Sequence, residues 1–331
     1  MYRFALAGII VTMFACADPE TTGSVEQAEL CAPIICGNSP FVGLAPVPLL
    51  DETGVTPSPV GQWRIVSFEG PLGASLKLHV VGFHLMGFAD NNSVAVRNGL
   101  VGTKITVEDA LMNQYVIRVD AWHDSLRYFE LGNDGTHVDS YAMSWTPKVS
   151  NDPPKNLCKD PEHNSHTDFD VLVYQGDLYD YKNGAVTRTG PGTAPWFNLA
   201  CNGDGLAKML LTRHADAAQD RPHQSDRFIR TSVLRGIRAD YCGDGEAWTE
   251  LNTPLDWANI GGWNVLNLGG TLEAVWDHGG AVCLSKPRLH TLKEIPCTVE
   301  GSGSPTAIAP CTDDQEKHWQ NYGTFITYNP P

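Results

Sequence analysis

The chain lacks most of the signals that would assign it a chemistry. No two cysteines stand in a C-x2-C pair, the spacing by which zinc sites are most often recognised. No G-x-S-x-G elbow is present, and no single serine or cysteine stands out as a nucleophile. Several carboxylates could serve a glycosidase, but nothing selects a facing pair. Positive charge is scarce: 23 Lys and Arg against 38 Asp and Glu give a net charge of −15. Such a field repels nucleic acid, so nucleic-acid binding is excluded as an expected role. The balance suits solubility outside the cell. No apolar run reaches the roughly 20 residues that a spanning helix needs.

What is present begins at the N-terminus. Met1 to Phe14 carries one basic residue, Arg3, and an apolar run broken only by Thr12. That is the length of a signal-peptide core. Met13-Phe14-Ala15-Cys16 resembles the lipobox of bacterial lipoproteins, which makes Cys16 the expected lipidation site. Leucine is usual where Met13 stands, and a small residue where Phe14 stands. Ala15-Cys16-Ala17 also reads as an A-x-A cleavage site, which would release a soluble secreted or periplasmic protein. The acidic stretch from Asp18 to Glu29 favours a tether behind a lipid anchor. The expectation is therefore an exported lipoprotein, held at the outer membrane or cell surface through Cys16.

Removing Cys16 from the nine cysteines leaves an even number, as disulfides in an exported protein require. Spacing alone admits many pairings. The set expected here is Cys31–Cys36, Cys158–Cys201, Cys242–Cys283 and Cys297–Cys311.

Gly (32) and Pro (22) are plentiful and imply many turns. Residues 1–16 read as the signal peptide, and 17–61 as a tether followed by a Pro/Gly-rich segment. Residues 62–146 carry short, β-branched, partly alternating runs: Trp63–Phe68, Leu76–Val81, Lys104–Val107 and Tyr115–Val119. Turn signals such as Asn91-Asn92 and Asn133-Asp134-Gly135 separate them. An antiparallel β-sandwich-like domain is expected there. The Pro-rich stretch from Pro147 to Pro161 reads as a domain boundary. Beyond it, residues 155–312 open with a strand, Phe169–Tyr174, and continue with a short helical pair. Leu206–Leu211 is the first helix. Asp226–Tyr241 is the second, capped by Asp226, with Ile229, Val233, Ile237 and Tyr241 as its buried stripe. Arg227, Arg230, Arg235 and Arg238 are expected on its opposite face, and Gly243 as its stop. Thr271–Trp276 and Ala281–Leu284 form a β-hairpin. Residues 313–331 form a tail ending in a strand, Thr324–Tyr328. The fold class expected is α+β and β-rich.

Arg238-Ala239-Asp240-Tyr241-Cys242-Gly243-Asp244-Gly245 resembles the ADYC domain, named for Ala239, Asp240, Tyr241 and Cys242 and found in bacterial, largely myxobacterial, exported proteins. Ala200-Cys201-Asn202-Gly203 with Leu206-Ala207-Lys208 is similar to the family's upstream segment. Glu273–Asp277 with Gly280–Cys283 is similar to its downstream one. The resemblance covers residues 165–290. Many members carry cysteines where Met209 and Val233 stand, so packing here would replace a bridge between the helices. The resemblance implies no activity and no cofactor. Within the motif, Asp240 is expected to bond turn amides or pair with an arginine, and Cys242 to staple the helix end to the strand holding Cys283.

Several residues could carry chemistry. Asp204 and Asp244, each in a Gly-Asp-Gly, could ligate calcium, but neither begins a complete calcium loop and such tripeptides are more often turns. His163 and His166 could ligate zinc, although paired histidines in a polar loop are usually solvated. Asp277 and His278 are an acid–base candidate, though strand neighbours point to opposite faces. Trp248, Trp257 and Trp263 lie among asparagines in a Gly-rich stretch and could stack on sugars, or fill a second core. The function expected is a non-catalytic envelope or surface binding or structural component, with a glycan or an envelope protein as its partner. The alternative is a secreted or periplasmic hydrolase using an Asp/His pair.

Overall fold

The computed structural model describes residues 38–90, 93–128, 137–159, 170–188, 196–215, 227–251, 253–261, 264–265, 270–289, 295–298 and 305–331. Cys16, Cys31, Cys36, His163, His166, Asp226 and Trp263 lie outside these residues, as do the expected signal peptide and the acidic part of the tether. No helix among the described residues is long and apolar enough to cross a membrane.

In chain order the first strands are β1 (Leu49–Asp51), β2 (Arg64–Glu69), β3 (Lys77–Val81), β4 (His84–Phe88), β5 (Val94–Val96), β6 (Lys104–Glu108), β7 (Gln114–Arg127), β8 (His137–Pro147) and β9 (Lys155–Asn156). Then come β10 (Val171–Gln175), β11 (Leu178–Asp180), β12 (Ala185–Arg188) and β13 (Trp196–Cys201), and the helices α1 (Gly205–Leu211) and α2 (Arg227–Arg238). The last part holds β14 (Asp256–Asn259), β15 (Asn264–Val265), β16 (Thr271–Asp277), β17 (Gly280–Leu284), β18 (Pro296–Thr298), β19 (Pro305–Ala307), α3 (Asp313–Lys317) and β20 (Phe325–Asn329). The fold is β-rich with few helices.

The largest sheet has eight strands in the order β1-β13-β10-β8-β7-β6-β2, with β9 paired to β8. It runs straight through the boundary expected at Pro147–Pro161. β8 pairs with β7 on one side and with β10 on the other, at Tyr141↔Val171 and Ser140↔Leu172. Residues 62–146 are therefore not a domain closed on themselves. Within the Pro-rich segment, β9 pairs back onto β8 at Ser144↔Asn156 and Trp145↔Lys155. The Pro/Gly-rich segment is also more than a linker, because Val42, Ala45, Val47, Leu49 and Leu50 are buried and β1 pairs with β13.

Strand composition explains the layering. In β10, Val171 and Val173 join one core while Leu172 and Tyr174 join another. Successive side chains point to opposite faces, so β10 is apolar throughout because both faces of the sheet are covered. One cover is the small sheet β3-β4-β5, whose Leu78, Val80 and Leu85 share a core with Ile105, Ile117, Val173 and Phe197. The other cover is the helical pair. Its Leu206, Met209, Leu210, Val233, Leu234 and Ile237 share a core with Leu172 and Ala200 on one side and with Ala274, Trp276 and Phe325 on the other. The helices are thus packed between the large sheet and a five-stranded sheet of order β15-β14-β20-β16-β17. Met209 and Val233 are both fully buried in that core.

The expected C-terminal strand is present as β20, which lies at the centre of its sheet, between β14 and β16. The second helix needs correction: α2 stops at Arg238, before Tyr241 and well before Gly243. Three of the arginines expected opposite the apolar stripe are themselves buried: Arg230, Arg235 and Arg238 are 0%, 8% and 5% exposed. Buried carboxylates make this tolerable. Arg230 pairs with Asp177 at 2.9 Å, and the other two approach Asp240.

Three disulfides join described residues: Cys158–Cys201, Cys242–Cys297 and Cys283–Cys311. The last two replace the expected Cys242–Cys283 and Cys297–Cys311. Cys283 lies opposite Val275 in the β16–β17 ladder and shares a cluster with Leu272, Val275 and Ile326, against which Cys311 packs. Cys242 and Cys297 pack instead against the core holding the helices. Sheet parity sends the two hairpin-side and helix-side thiols to different clusters, so they cannot meet.

Candidate functional site

The tetrapeptide at 239–242 is a helix terminus. Ala239 adopts a left-handed conformation, φ +52°. Its N–H donates to the Gly236 carbonyl at 3.3 Å, and the Asp240 N–H donates to the Arg235 carbonyl at 2.9 Å. That is the Schellman pattern, which ends a helix by satisfying its last carbonyls. Ala239 and not Gly243 is therefore the stop. Asp240 is fully buried. Its Oδ2 accepts the Gly245 N–H at 3.1 Å and lies 3.9 Å from Arg235 Nε and 3.8 Å from Arg238 Nη1. Burial pushes the Asp240 carboxyl up to about 6, a rise the two arginines only partly offset. Arg238 also donates to the carbonyls of Pro40 and Gly245. A Cβ on Gly184 would sit 2.0 Å from Arg238 Nη1, so only glycine leaves room for this guanidinium.

Tyr241 points the other way. Its hydroxyl donates to Glu273 Oε1 at 2.6 Å and accepts the Arg288 N–H at 3.1 Å. Burial, reinforced by the Glu273 charge, holds the phenol well above its ordinary value. The ring stacks on Trp276 with centroids 5.2 Å apart. Arg288 pairs with Glu273 at 2.9 Å and donates through Nη1 and Nη2 to the carbonyls of Ile237 and Gly236. Cys242 bonds Cys297. Every polar member of the tetrapeptide is thus bonded into the scaffold.

Asp204 does similar work at the start of α1. Its carboxylate accepts the N–H groups of Ala207, Cys201 and Leu44 at 2.9 to 3.0 Å. Burial pushes this carboxyl up to about 7 despite those bonds. One turn on, the buried Lys208 ammonium donates to the Asn38 carbonyl at 2.6 Å, and burial lowers it to about 7. A carboxylate spent on three amides is not turned toward a cation. Asp244 is exposed and accepts the Glu246 N–H in a turn. Among the described residues no three His, Cys, Asp or Glu gather as a metal site.

The remaining candidates are not brought together. Asp277 Oδ1 accepts the Gly279 N–H within the hairpin turn, and the His278 ring lies against Phe228, centroids 4.6 Å apart. Trp257 is a core residue at 4% exposure, edge-on to His214 and near Phe325. Trp248 packs half-buried against the same core. Neither face of Trp257 is open to a sugar.

The structure assembles instead a polar constellation along the β7–β8 ribbon that the sequence did not reveal. Asp139, 2% exposed, accepts His84 Nδ1–H at 2.7 Å and lies 3.3 Å from Arg97 Nε. Burial pushes its carboxyl up, but His84, the Trp122 indole and Arg97 together hold it below the ordinary value. Elsewhere on the ribbon, where Ser140 follows Asp139 and so points to the opposite face, Asp170 Oδ2 takes His123 Nδ1 and the Ser140 hydroxyl, each at 2.7 Å. Here the carboxylate, not the imidazole, bridges the other two, so the trio lacks the serine–histidine contact of a nucleophilic triad. A further acid–imidazole pair, Glu52 with His79 at 3.3 Å, lines an open cavity of about 380 Å³ between β2 and β3. These partners lie 27 to 55 residues apart, and no local spacing signals them.

The fold and this site define a disulfide-stapled, β-rich α+β protein whose signature residues form its scaffold. The ADYC domain model matches residues 97–290, more than half of the chain, and the chain belongs to that family. The match begins at Arg97 and takes in β6, β7 and β8, so it reaches well before residue 165, where the sequence resemblance begins. No curated protein and no solved structure matches the chain.

Proposed function

We propose that the protein is a non-catalytic binding or structural component of the bacterial envelope, exported and held at the outer membrane or cell surface by a lipid on Cys16. The observation that carries this reading is the use of the family tetrapeptide. Asp240, Tyr241 and Cys242 are bonded to Gly245, Glu273 and Cys297, which leaves the signature of the family as a staple and not as a reaction centre. The disulfides favour maturation in an oxidising compartment. The two acyl chains of a lipidated Cys16 would hold such a chain at the membrane periphery. The hydrolase alternative through Asp277 and His278 draws no support from a carboxylate committed to Gly279 and an imidazole resting on Phe228.

Mass analysis of the N-terminal peptide from membrane fractions is the test. A diacylglyceryl group on Cys16, with Cys16→Ser moving the protein out of the membrane fraction, supports the reading. Recovery of the chain with Met1 still attached and its thiols free overturns it.

A further inference from the structure

We propose that Arg97 and His84, oriented by Asp139, form a subsite for a small hydroxylated carboxylic acid, a sugar acid in chemical class. The proposal deepens the binding reading above by naming what one surface takes.

Asp139 holds both bases by their inner atoms: Nδ1 of His84 and Nε of Arg97. Among the described residues, Nη1 and Nη2 of Arg97 and Nε2 of His84 have no partner. Their side chains are 53% and 37% exposed. Each is also braced by a ring. The Arg97 guanidinium carbon lies 5.5 Å from the Trp122 ring centre, and the Phe83 ring centre lies 4.2 Å from that of His84. Ordering two long side chains this way costs rotamer freedom. The backbone adds strain, since Arg97 takes a left-handed conformation at φ +52°, sparsely populated by residues other than glycine and common where strain serves a site.

The unspent atoms define the ligand. The Nη pair is a fork that matches the two oxygens of a carboxylate. With Nδ1 directed at Asp139, Nε2 is the ring atom left to face a ligand, and in the ring's neutral form it accepts. A hydroxyl beside the carboxylate suits that atom in either form of the ring, since it can both donate and accept. A phosphate dianion would bring two charges up to the Asp139 carboxylate. An acidic polymer would face the whole field of a chain at −15. A single carboxylate is screened beyond about 8 Å at physiological salt and meets only the local fork. Phe83 and Trp122 border the spot with apolar surface for the carbon skeleton.

The test is an imidazole NMR titration of the purified full chain with glucuronate, and with glucose and acetate as separate probes. The expected result is a saturable shift of His84 Nε2 with glucuronate, while His123 stays unmoved and reports an intact fold. Glucose and acetate should bind at least about tenfold more weakly, and Arg97→Gln should weaken glucuronate by about tenfold or more. Arg97→Lys, which keeps the charge and loses the fork, should fall between. His123→Gln should leave binding unchanged. No saturable shift at His84, equal affinity in Arg97→Gln, or acetate binding as tightly as glucuronate overturns the subsite. Binding accompanied by consumption of glucuronate supports the subsite and overturns the non-catalytic reading, whereas absence of binding leaves that reading standing.

Discussion

The Tyr241 hydroxyl donates to Glu273 Oε1 at 2.6 Å across 32 residues of sequence. That bond ties the end of α2 to the middle of β16, and it also completes the surroundings of a buried charge. Glu273 and Arg288 are both 0% exposed at their side chains. A buried pair of this kind is stable only when its remaining hydrogen-bonding capacity is filled. Tyr241 fills it on the Glu273 side, the carbonyls of Ile237 and Gly236 fill it on the guanidinium side, and the Tyr241 oxygen also accepts the Arg288 backbone N–H.

Tyr241→Phe keeps the ring stacked on Trp276 and removes only the oxygen. The variant should fold and lose about 1–3 kcal/mol, the cost of leaving buried polar groups unpaired. Urea unfolding followed by circular dichroism checks this. A loss below the error of the midpoint would show that the hydroxyl does not complete the pair.

Gly236 sits inside α2, where alanine is normally better by about 1 kcal/mol. Here a Cβ would lie 2.6 Å from two carbons of the Phe325 ring, and that ring is fully buried in the central strand of the second sheet. Overpacking of this kind costs about 1–3 kcal/mol and outweighs the helix gain. Gly236→Ala should therefore lower Tm, and Phe325→Leu in the same chain should recover part of the loss. Equal or higher Tm for Gly236→Ala alone would mean that α2 and β20 are farther apart.

The disulfide pattern gives a prediction that separates two connectivities directly. Non-reducing peptide mapping should recover Cys242 joined to Cys297 and Cys283 joined to Cys311. Recovery of Cys242 joined to Cys283 would place both thiols in one cluster and contradict the face assignment of β17. Removing the Cys242–Cys297 bridge, which spans 55 residues, should cost about 2–4 kcal/mol.

The same bridge shows where sequence reasoning reached and where it stopped. Short alternating runs marked several strands, and a four-residue apolar stripe marked α2, because local periodicity reports burial directly. Partner choice is a different matter. Whether Cys283 faces α2 or faces Cys311 depends on strand parity after the ladder irregularity between Val275 and Trp276, and no local pattern encodes that shift. The arginines of α2 misled for a related reason. The sequence pattern places them opposite the apolar stripe, yet Arg230 is buried, because Asp177 reaches it from 53 positions away in sequence. His84 and Asp139 likewise become neighbours only when β4 is laid over the β7–β8 ribbon.

His214 supplies a pH prediction with a definite sign. It is fully buried between Thr212 and Asn259, and burial lowers its imidazole from 6.5 to about 3, with Arg230 adding to the drop. The unfolded chain therefore takes up a proton below pH 6.5 that the folded chain refuses until about pH 3. Stability from this group is complete above 6.5 and is lost as pH falls toward 3. Asp240 and Asp204 work the other way, since their raised folded values add stability as pH falls from their folded values toward 3.8. Comparison with His214→Gln cancels those opposing contributions. Its amide oxygen can still accept the Asn259 donor, and it does not titrate. Between pH 7 and about pH 5 the wild-type chain should lose about 2 kcal/mol more than the variant. Urea unfolding at the two pH values measures it. Parallel losses in both proteins would show that His214 protonates in the folded state as readily as in water.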